Sequence, residues 1–600
     1  MPPTTADLER AVSDSLDRAE GLEVVTPAPE LYLDLAESVV RQASAWQSPD
    51  GMMGDSHNEP GVESVTATAR YTAALGHLLA TGRCEDLLDS AMRAMDYGCG
   101  ELARNTAAGE QWICSSFNVK DMMILYETLE GIASADRFER WTRALAEPSP
   151  ELLHYPPDTR NFTFFGVSAE ALRIKHGLSD RWDWVDDTLA LQMPDWTDYG
   201  MYRDPGDPTT YDLTVRQALT LMLDAGYAGR HERWMRETLH SGALVSLLQA
   251  SPTGVVSFGG RSAQYQMQEA MLAWLGEWQA REEAGAGDMR LAGALRRMAL
   301  AGAEAVSRWL LREPYSCAKN LMREYPFWGQ DGFGEGHNAN SGYGLLAANL
   351  FAGAYRVADC SITPGPAPSD IGGHALHLPD AFYRVWATAG DYHIQVDTRG
   401  QTGYDATGLC RLHRRGVPIE TALNMGIPSA PKYIMPVPAA LRRVAFGIGW
   451  EYDDDWRYLS ELTRDDDYEV TVDVAEEGDA VRVVVRYEGA PGVVGPTGRA
   501  IERYDLSPRG LRYEGEFPEA RRVRLQVPII ETDGESQAEF RVTTSGLEAR
   551  YMGHTYRVRL DVPAVTAHLE DWLAPNRNGV YRVAVFDVVG ARVTCQATLT

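Results

Sequence analysis

The sequence predicts an incomplete (α/α) toroid followed by an antiparallel β-sandwich. Three observations lead to this fold class. Over residues 29–356, apolar residues recur at steps of three and four, which is the spacing of helices that bury one face. Farther along the chain they alternate with polar residues, which is the spacing of strands. A length of 600 residues also exceeds what a single core usually serves, so two or more domains are expected.

The first part reads as a succession of helices separated by short turns that contain Gly, Pro or Asp. Short connections make neighbouring helices antiparallel, and either an α-solenoid or a toroid of helical hairpins satisfies that condition. The chain shows no strict repeat of the solenoid kind. Loops rich in aromatic, Asn, Arg and His residues recur between alternate helices, as expected if one end of a ring forms a cleft. We therefore favour the toroid.

The pattern changes at SITPGPAPSDIGG, a segment rich in proline and glycine that reads as a linker. The later segments VRLQVPII and YRVRLDV alternate apolar and polar residues, which predicts antiparallel sheets with one polar face. The predicted division is an N-terminal extension over 1–28, the toroid over 29–360, the linker over 361–380 and the sandwich over 381–600.

The charge composition argues against two classes of binding partner. A net charge of −29 and an isoelectric point near 4.9 disfavour nucleic acid and anionic membranes. The N-terminus lacks a signal-peptide pattern and no segment is apolar enough to span a bilayer, so a cytoplasmic protein is expected. Seven scattered cysteines suit a reducing compartment. Homo-oligomerisation stays open.

The first candidate for a catalytic site is the loop and helix over residues 200–227. Tyr211 precedes Asp212, which is the expected N-cap of that helix. A phenol at a rigid helix entrance can transfer protons if nearby cations lower its pKa, and Arg203 and Arg216 are near in sequence. Tyr202 lies in the same loop. A packing role for Tyr211 is the alternative.

Three further segments carry candidate substrate-binding residues. SFGGRSAQYQMQEA places Arg261 for bidentate carboxylate binding, and it supplies Tyr265 as a reserve candidate for the catalytic phenol. A surface ion pair is the alternative for Arg261. The other candidates are polar or aromatic residues in this segment and in two loops: Arg160, Asn161, Gln264, Trp328, His337, Asn338 and Tyr343.

The chain resembles the heparinase II/III-like polysaccharide lyases. The resemblance lies in the order of a helical and a sheet part and in four short segments: TRNFTFFG, DPTTYD, GFGEGHNANSGYG and DTRGQTGYDATGLCRLHRRGV. It implies cleavage of uronic-acid-containing glycans by β-elimination, with an acidic oligosaccharide or polysaccharide as substrate. A cytoplasmic member would meet imported fragments, so exo action is expected.

β-Elimination has three requirements, and the resemblance suggests a residue for each. The sugar carboxylate must be neutralised, a base must take the C5 proton and an acid must protonate the leaving oxygen on C4. Asn161 is the candidate for the first role and Tyr211 for acid, or for base and acid in turn. His337 is the candidate for neutralising charge or for acting as the base.

Cofactors and metals receive little support from the sequence. The His-x-His-x-Asp run of some family members is not found, so no cofactor is expected, with a structural zinc or calcium ion left open. Cys410 and His413, with His393 or Asp397, form an incomplete zinc pattern for which a buried strand is the favoured alternative.

Two other classes of function remain. A hydrolase on the same toroid requires a carboxylate pair that faces the cleft. The candidates for that pair are Asp204, Asp207, Asp212, Asp331 and Glu335. A non-catalytic carbohydrate-binding protein would keep Arg261 and the aromatic residues without proton transfer.

Overall fold

The computed structural model describes residues 2–19, 21–54, 66–157, 160–322, 340–433, 437–453 and 455–600. The described chain is helical over residues 5–357 and antiparallel β-sheet after that, which confirms the predicted order. The helices are α1 (Thr5–Asp17), α2 (Glu30–Ser44), α3 (Ala67–Ala80), α4 (Leu88–Ala108), α5 (Ser115–Leu129), α6 (Ala135–Ala146), α7 (Pro150–Leu153), α8 (Asn161–Lys175), α9 (Trp182–Gln192), α10 (Thr209–Asp224), α11 (Glu232–Gln249), α12 (Met267–Ala286), α13 (Met289–Leu310), α14 (Asn340–Val357) and α15 (Pro368–Ile371).

A ring of inner helices forms the core of the helical part. Each inner helix packs against the next, and the last packs against the first. Inner helices are buried on nearly every face, so polar residues such as Glu269 and Glu277 of α12 are buried too, while outer helices such as α6 and α13 are amphipathic. The inner helices are α3, α5, α8, α10, α12 and α14.

Three antiparallel sheets follow the helices. Their strands are β1 (His374–Leu378), β2 (Arg384–Ala389), β3 (Tyr392–Asp397), β4 (Gly408–Arg414), β5 (Gly447–Tyr452), β6 (Asp455–Tyr458), β7 (Tyr468–Glu477), β8 (Ala480–Gly489), β9 (Arg499–Ser507), β10 (Gly510–Glu516), β11 (Arg522–Thr532), β12 (Glu539–Thr543), β13 (Gly546–Tyr551), β14 (His554–Leu560), β15 (Thr566–Leu569), β16 (Ala574–Asn576), β17 (Gly579–Val589) and β18 (Arg592–Leu599).

The sheets form two layers. One layer is the sheet β12-β13-β14-β18-β10-β9-β8-β7, and the other combines β1-β2-β3-β4 with β15-β17-β11-β5-β6, where β16 pairs with β17. Strands β2 and β3 pack on β8 and β9, while β5 packs on β10 and β11 on β18. The sandwich core therefore lies between these layers.

The helical core continues into the first sheet, because Phe382 and Trp386 belong to the same buried cluster as the helices. Strand β1 begins at His374, inside the segment predicted as a linker. Helix α1 lies in the region predicted as an N-terminal extension, and it packs on α11. The division into domains stays a prediction. Among the described helices, none combines the length and apolar character that crossing a bilayer requires.

Candidate functional site

The amino ends of the inner helices lie at one end of the ring. Contacts between their first turns, or the residues just before them, establish this placement. Aligned peptide dipoles give the amino end of a helix a partial positive charge, so this end favours an anionic group. The contacts join Arg70 to the Gly342 carbonyl (2.7 Å), the rings of Phe117 and Phe162 (5.1 Å between centroids), Asn161 to Asp204 (2.7 Å) and Thr210 to Gln268 (2.9 Å).

A buried carboxylate, Asp204, connects three segments at this end. Asn161, the first residue of α8, donates from its backbone N–H (3.2 Å) and from Nδ2 (2.7 Å) to Asp204 Oδ1. Arg261 donates from Nη2 to Asp204 Oδ2. Burial raises the pKa of Asp204, and the bonds from Asn161 and the charge of Arg261 oppose that rise. From the sequence, Asp204 is predicted only as a candidate carboxylate of a hydrolase.

Asn161 is thus held by a carboxylate of the protein itself. Its side-chain oxygen Oδ1 is buried and has no hydrogen-bond partner among the described residues. The preceding residue, Arg160, has a φ of +51°, and its half-exposed side chain donates to the Arg203 carbonyl (3.3 Å).

Tyr211 lies in the first turn of α10 and is partly exposed. The guanidinium carbon of Arg261 lies 4.5 Å from the centre of its ring. Its hydroxyl lies 3.1 Å from Ser262 Oγ. The expectation that Asp212 caps this helix is wrong, because Pro208 occupies the N-cap and Asp212 lies in the first turn. The phenol is positioned by two residues of the loop before α12.

Two further tyrosines, Tyr343 and Tyr265, lie beyond Ser262. Tyr343 is 7% exposed, and its hydroxyl lies 3.2 Å from Ser262 Oγ. Arg70 lies 5.6 Å from the centre of the Tyr343 ring. Burial lowers the pKa of Arg70, and neighbouring Tyr343 opposes that effect. Tyr265 is fully buried with its ring edge-on to Tyr343 (4.7 Å), so Tyr211 is the better placed of the two candidate phenols.

Two of the predicted substrate-binding residues lie in the core. Tyr202 is fully buried against Trp196 and donates from its hydroxyl to Gln192 (3.2 Å). Arg216 is 1% exposed and forms an ion pair with Asp212 (2.7 Å). These contacts give both residues structural roles, so neither is retained as a proposed substrate contact.

Arg203 is half-exposed and pairs with Asp207 at 3.4 Å. It lies on the loop before α10, and its carbonyl accepts the hydrogen bond from Arg160. Both arginines are therefore near the site and able to meet a ligand with their exposed portions.

Gln264 contacts the sandwich. Its Oε1 accepts hydrogen bonds from Asn424 (2.6 Å) and Asn578 (3.1 Å). Arg577 donates to the Ala263 carbonyl (3.1 Å). The sandwich thus holds the segment that carries Arg261 and Ser262. Sequence reasoning missed these partners, although NRN directly before β17 was an available signal.

His337, Asn338 and Trp328 lie outside the described residues, as do Asp331 and Glu335. Their assigned roles stay predictions. His337 precedes Asn340, the first residue of α14, by three positions in the sequence.

The residues of the incomplete zinc pattern around Cys410 make other contacts. Cys410 Sγ donates to the Ala406 carbonyl (3.0 Å), and His413 bonds to Asn424 (2.8 Å) and Ser251 (2.9 Å). Across the part of the chain that the structure describes, no group of three or more His, Cys, Asp or Glu side chains could hold a metal ion.

Comparisons with known proteins concern the architecture alone. No family model and no curated protein matches the chain. A glycosyl hydrolase of family 88 from Bacteroides vulgatus is 12% identical, covering 55% of this chain and 99% of its own, with a TM-score of 0.38. A polysaccharide lyase is 12% identical over 54% of this chain and 97% of its own, with a TM-score of 0.36.

A chondroitinase AC lyase is similar over most of the chain. It is 11% identical, covers 98% of this chain and 82% of its own, and has a TM-score of 0.40. At these TM-scores the function has to be argued from the site.

Proposed function

We propose that this protein is a lyase that cleaves uronic-acid-containing oligosaccharides by β-elimination, in the manner of the heparinase II/III-like enzymes it resembles. One observation carries the proposal. A partly exposed phenol, Tyr211, is held between a guanidinium and a hydroxyl at the end of the ring where the inner helices begin. An acidic sugar fits this end because the helix dipoles favour anions.

The residues have distinct roles in this proposal. Arg261, over the Tyr211 ring, stabilises the phenolate form of Tyr211 and attracts the sugar carboxylate. Tyr211 transfers the proton to the leaving oxygen on C4. Asn161 uses one amide hydrogen on Asp204, and its other amide hydrogen is the one proposed to neutralise the carboxylate. His337 is proposed as the base when the C5 proton and the leaving oxygen are on opposite faces.

The described carboxylates give less support to a hydrolase. Each of the three described candidates already pairs with arginine: Asp204 with Arg261, Asp207 with Arg464 (3.0 Å), and Asp212 with Arg216 (2.7 Å). A glycosidase needs one protonated and one free carboxyl group facing the sugar from opposite sides. Asp331 and Glu335 stay as the hydrolase alternative.

The test is incubation with a panel of uronic-acid oligosaccharides. A lyase creates an unsaturated uronate that absorbs in the ultraviolet, a hydrolase creates reducing ends without that absorbance, and a binding protein creates neither. We expect Tyr211→Phe to lower turnover by at least about 100-fold with little change in binding, because proton transfer contributes that much or more. Full activity in this variant would contradict the role of Tyr211.

The matched control is Tyr199→Phe. Tyr199 lies on the same loop, but its hydroxyl donates to Asp380 near the first sheet (3.0 Å). Removing that hydroxyl should leave turnover within about twofold of the parent, because a residue away from the reacting atoms stabilises the ground and transition states equally.

A further inference from the structure

Three hydroxyl groups form a continuous chain at the site. Tyr211 Oη lies 3.1 Å from Ser262 Oγ, and Ser262 Oγ lies 3.2 Å from Tyr343 Oη. A serine hydroxyl can donate one hydrogen bond while accepting another, so it can connect two phenols. The chain runs from the partly exposed phenol to one that is 7% exposed.

Each end of this chain has an arginine beside it. Arg261 lies 4.5 Å from the Tyr211 ring centre, and Arg70 lies 5.6 Å from the Tyr343 ring centre. A nearby positive charge favours the ionised form of a phenol. Negative charge can therefore be stabilised at either end of the chain.

The backbone holds Ser262 in an unusual conformation. Ser262 is fully buried and its φ is +58°, in the left-handed region that is unfavourable for a residue with a side chain. Thr210 donates to the Ser262 carbonyl (3.0 Å) and Arg577 donates to the next carbonyl, that of Ala263 (3.1 Å). Such conformations persist where surrounding structure imposes them, and they concentrate at functional sites.

We propose that Ser262 is a positioning residue that passes a proton between Tyr211 and Tyr343. This rests on the proposed function, in which Tyr211 protonates the leaving oxygen. As Tyr211 loses its proton to that oxygen, the Ser262 O–H proton moves to Tyr211 Oη and the Tyr343 proton moves to Ser262 Oγ. One O–H bond forms for each that breaks, and the negative charge moves to Tyr343, beside Arg70.

The experiment removes the hydroxyl without adding strain. Ser262→Gly suits the left-handed backbone and deletes only the hydroxymethyl group. Its control is Ser257→Ala, an equally buried serine in the same segment whose hydroxyl contacts Gln395 (3.2 Å) and Trp386 (3.1 Å) of the sandwich. Tyr343→Phe interrupts the chain from its other end.

The first readout requires no substrate. The protein is labelled with ¹³C at tyrosine Cζ, the Tyr211 resonance is assigned by its loss in Tyr211→Phe, and its titration is followed with pH. We expect Ser262→Gly and Tyr343→Phe to raise the pH midpoint of the Tyr211 titration by at least about half a pH unit. The reason is that the hydrogen-bonded chain stabilises the charged form of the phenol. Ser257→Ala should leave the midpoint unchanged.

The second readout is the pH profile of turnover on a cleaved substrate. We expect Ser262→Gly to lower kcat about tenfold or more, with KM within about twofold, and to shift the basic limb of the profile. A parent enzyme without lyase activity would refute the proposed function while the titration still decides the role of Ser262. An unchanged Tyr211 midpoint in Ser262→Gly would overturn the proton chain whatever the activity.

Discussion

The two ends of the helical ring are built from different kinds of connection. The connections before the inner helices α10 and α12 are long, over residues 193–208 and 250–266. Those after the inner helices α5 and α12 are short, over 130–134 and 287–288, and a glycine at positive φ lies in each. Short turns reverse the chain at low cost, while long loops on a rigid scaffold carry polar groups that the helices cannot provide.

Two arginines show how much this difference matters. The side chains of Arg261 and Arg281 are 38% and 35% exposed, and each pairs with an aspartate and lies over an aromatic ring. Arg261 pairs with fully buried Asp204, whereas Arg281, at the short-turn end, pairs with Asp224, which is 34% exposed. These types of contact are alike, and among the described residues the buried carboxylate and the phenol beneath Arg261 distinguish the candidate site from a surface pair.

The largest expected effect comes from removing each arginine in turn. Arg261→Ala should lower kcat/KM on a cleaved oligosaccharide by about 100-fold, because a cation aimed at developing negative charge is lost. Arg281→Ala should change it by less than about twofold, since exposed ion pairs contribute little. Steady-state kinetics on both purified variants is the measurement. Equal losses in the two variants would remove the contrast between the ends.

The sequence was sufficient to predict the order of the two halves, and it named several residues that the structure brings together at the candidate site. The helices could be located because apolar residues recur in them at steps of three and four, and short turns containing Gly, Pro or Asp separate them. Tyr211 and Arg261 could be named from the sequence because each lies in or beside a loop rich in Gly or Pro that leads into a helix. Asn161 could be named because it lies between Arg160 and a run rich in phenylalanine.

The remaining partners were not predicted because they come from distant parts of the chain. Asp204 became important only when folding placed it between Asn161 and Arg261, and Arg577 lies more than 300 residues beyond the carbonyl it contacts. Arg70 had a usable signal, a lone cation in an otherwise apolar helical segment. Tyr202 and Arg216 lie in the same segment as Tyr211, residues 200–227. Their place in the sequence alone could not show that they are buried in the core and do not line a cleft.

A second prediction concerns the contact between the long-loop end and the sandwich. Asp397 and Asp405 share Arg384 (3.4 Å each), and a Cβ on Gly259 would lie 2.5 Å from the Arg384 guanidinium carbon. Burial, then the charge of Asp405, raises the pKa of Asp397 from 3.8 to about 7, against the effects of Arg384 and Arg464.

The sign of the resulting pH dependence follows from that direction. When the pKa of a carboxyl group is higher in the folded than in the unfolded state, the group's contribution to the free energy of unfolding is complete below the unfolded-state pKa. That contribution is lost as pH rises toward the folded-state pKa. As pH rises from about 4 toward 7, the free energy of unfolding should fall more steeply in the parent than in Asp397→Asn. Denaturation curves across this range provide the measurement, and parallel curves for the two proteins would refute it.

The smallest effect is expected at the short-turn end, where two neighbouring glycines differ in a single respect. Gly287 ends α12 with a φ of +95°, whereas Gly285 lies within the helix, and a Cβ on either residue would meet open space. Gly287→Ala should cost about 1 kcal/mol because alanine disfavours the left-handed conformation. Gly285→Ala should add up to about 1 kcal/mol of stability because alanine favours a helix interior. Urea unfolding followed by helical circular dichroism measures both, and activity should stay unchanged in each. A loss of turnover in Gly287→Ala would show that the short turns also act on the site and that the two ends are not independent.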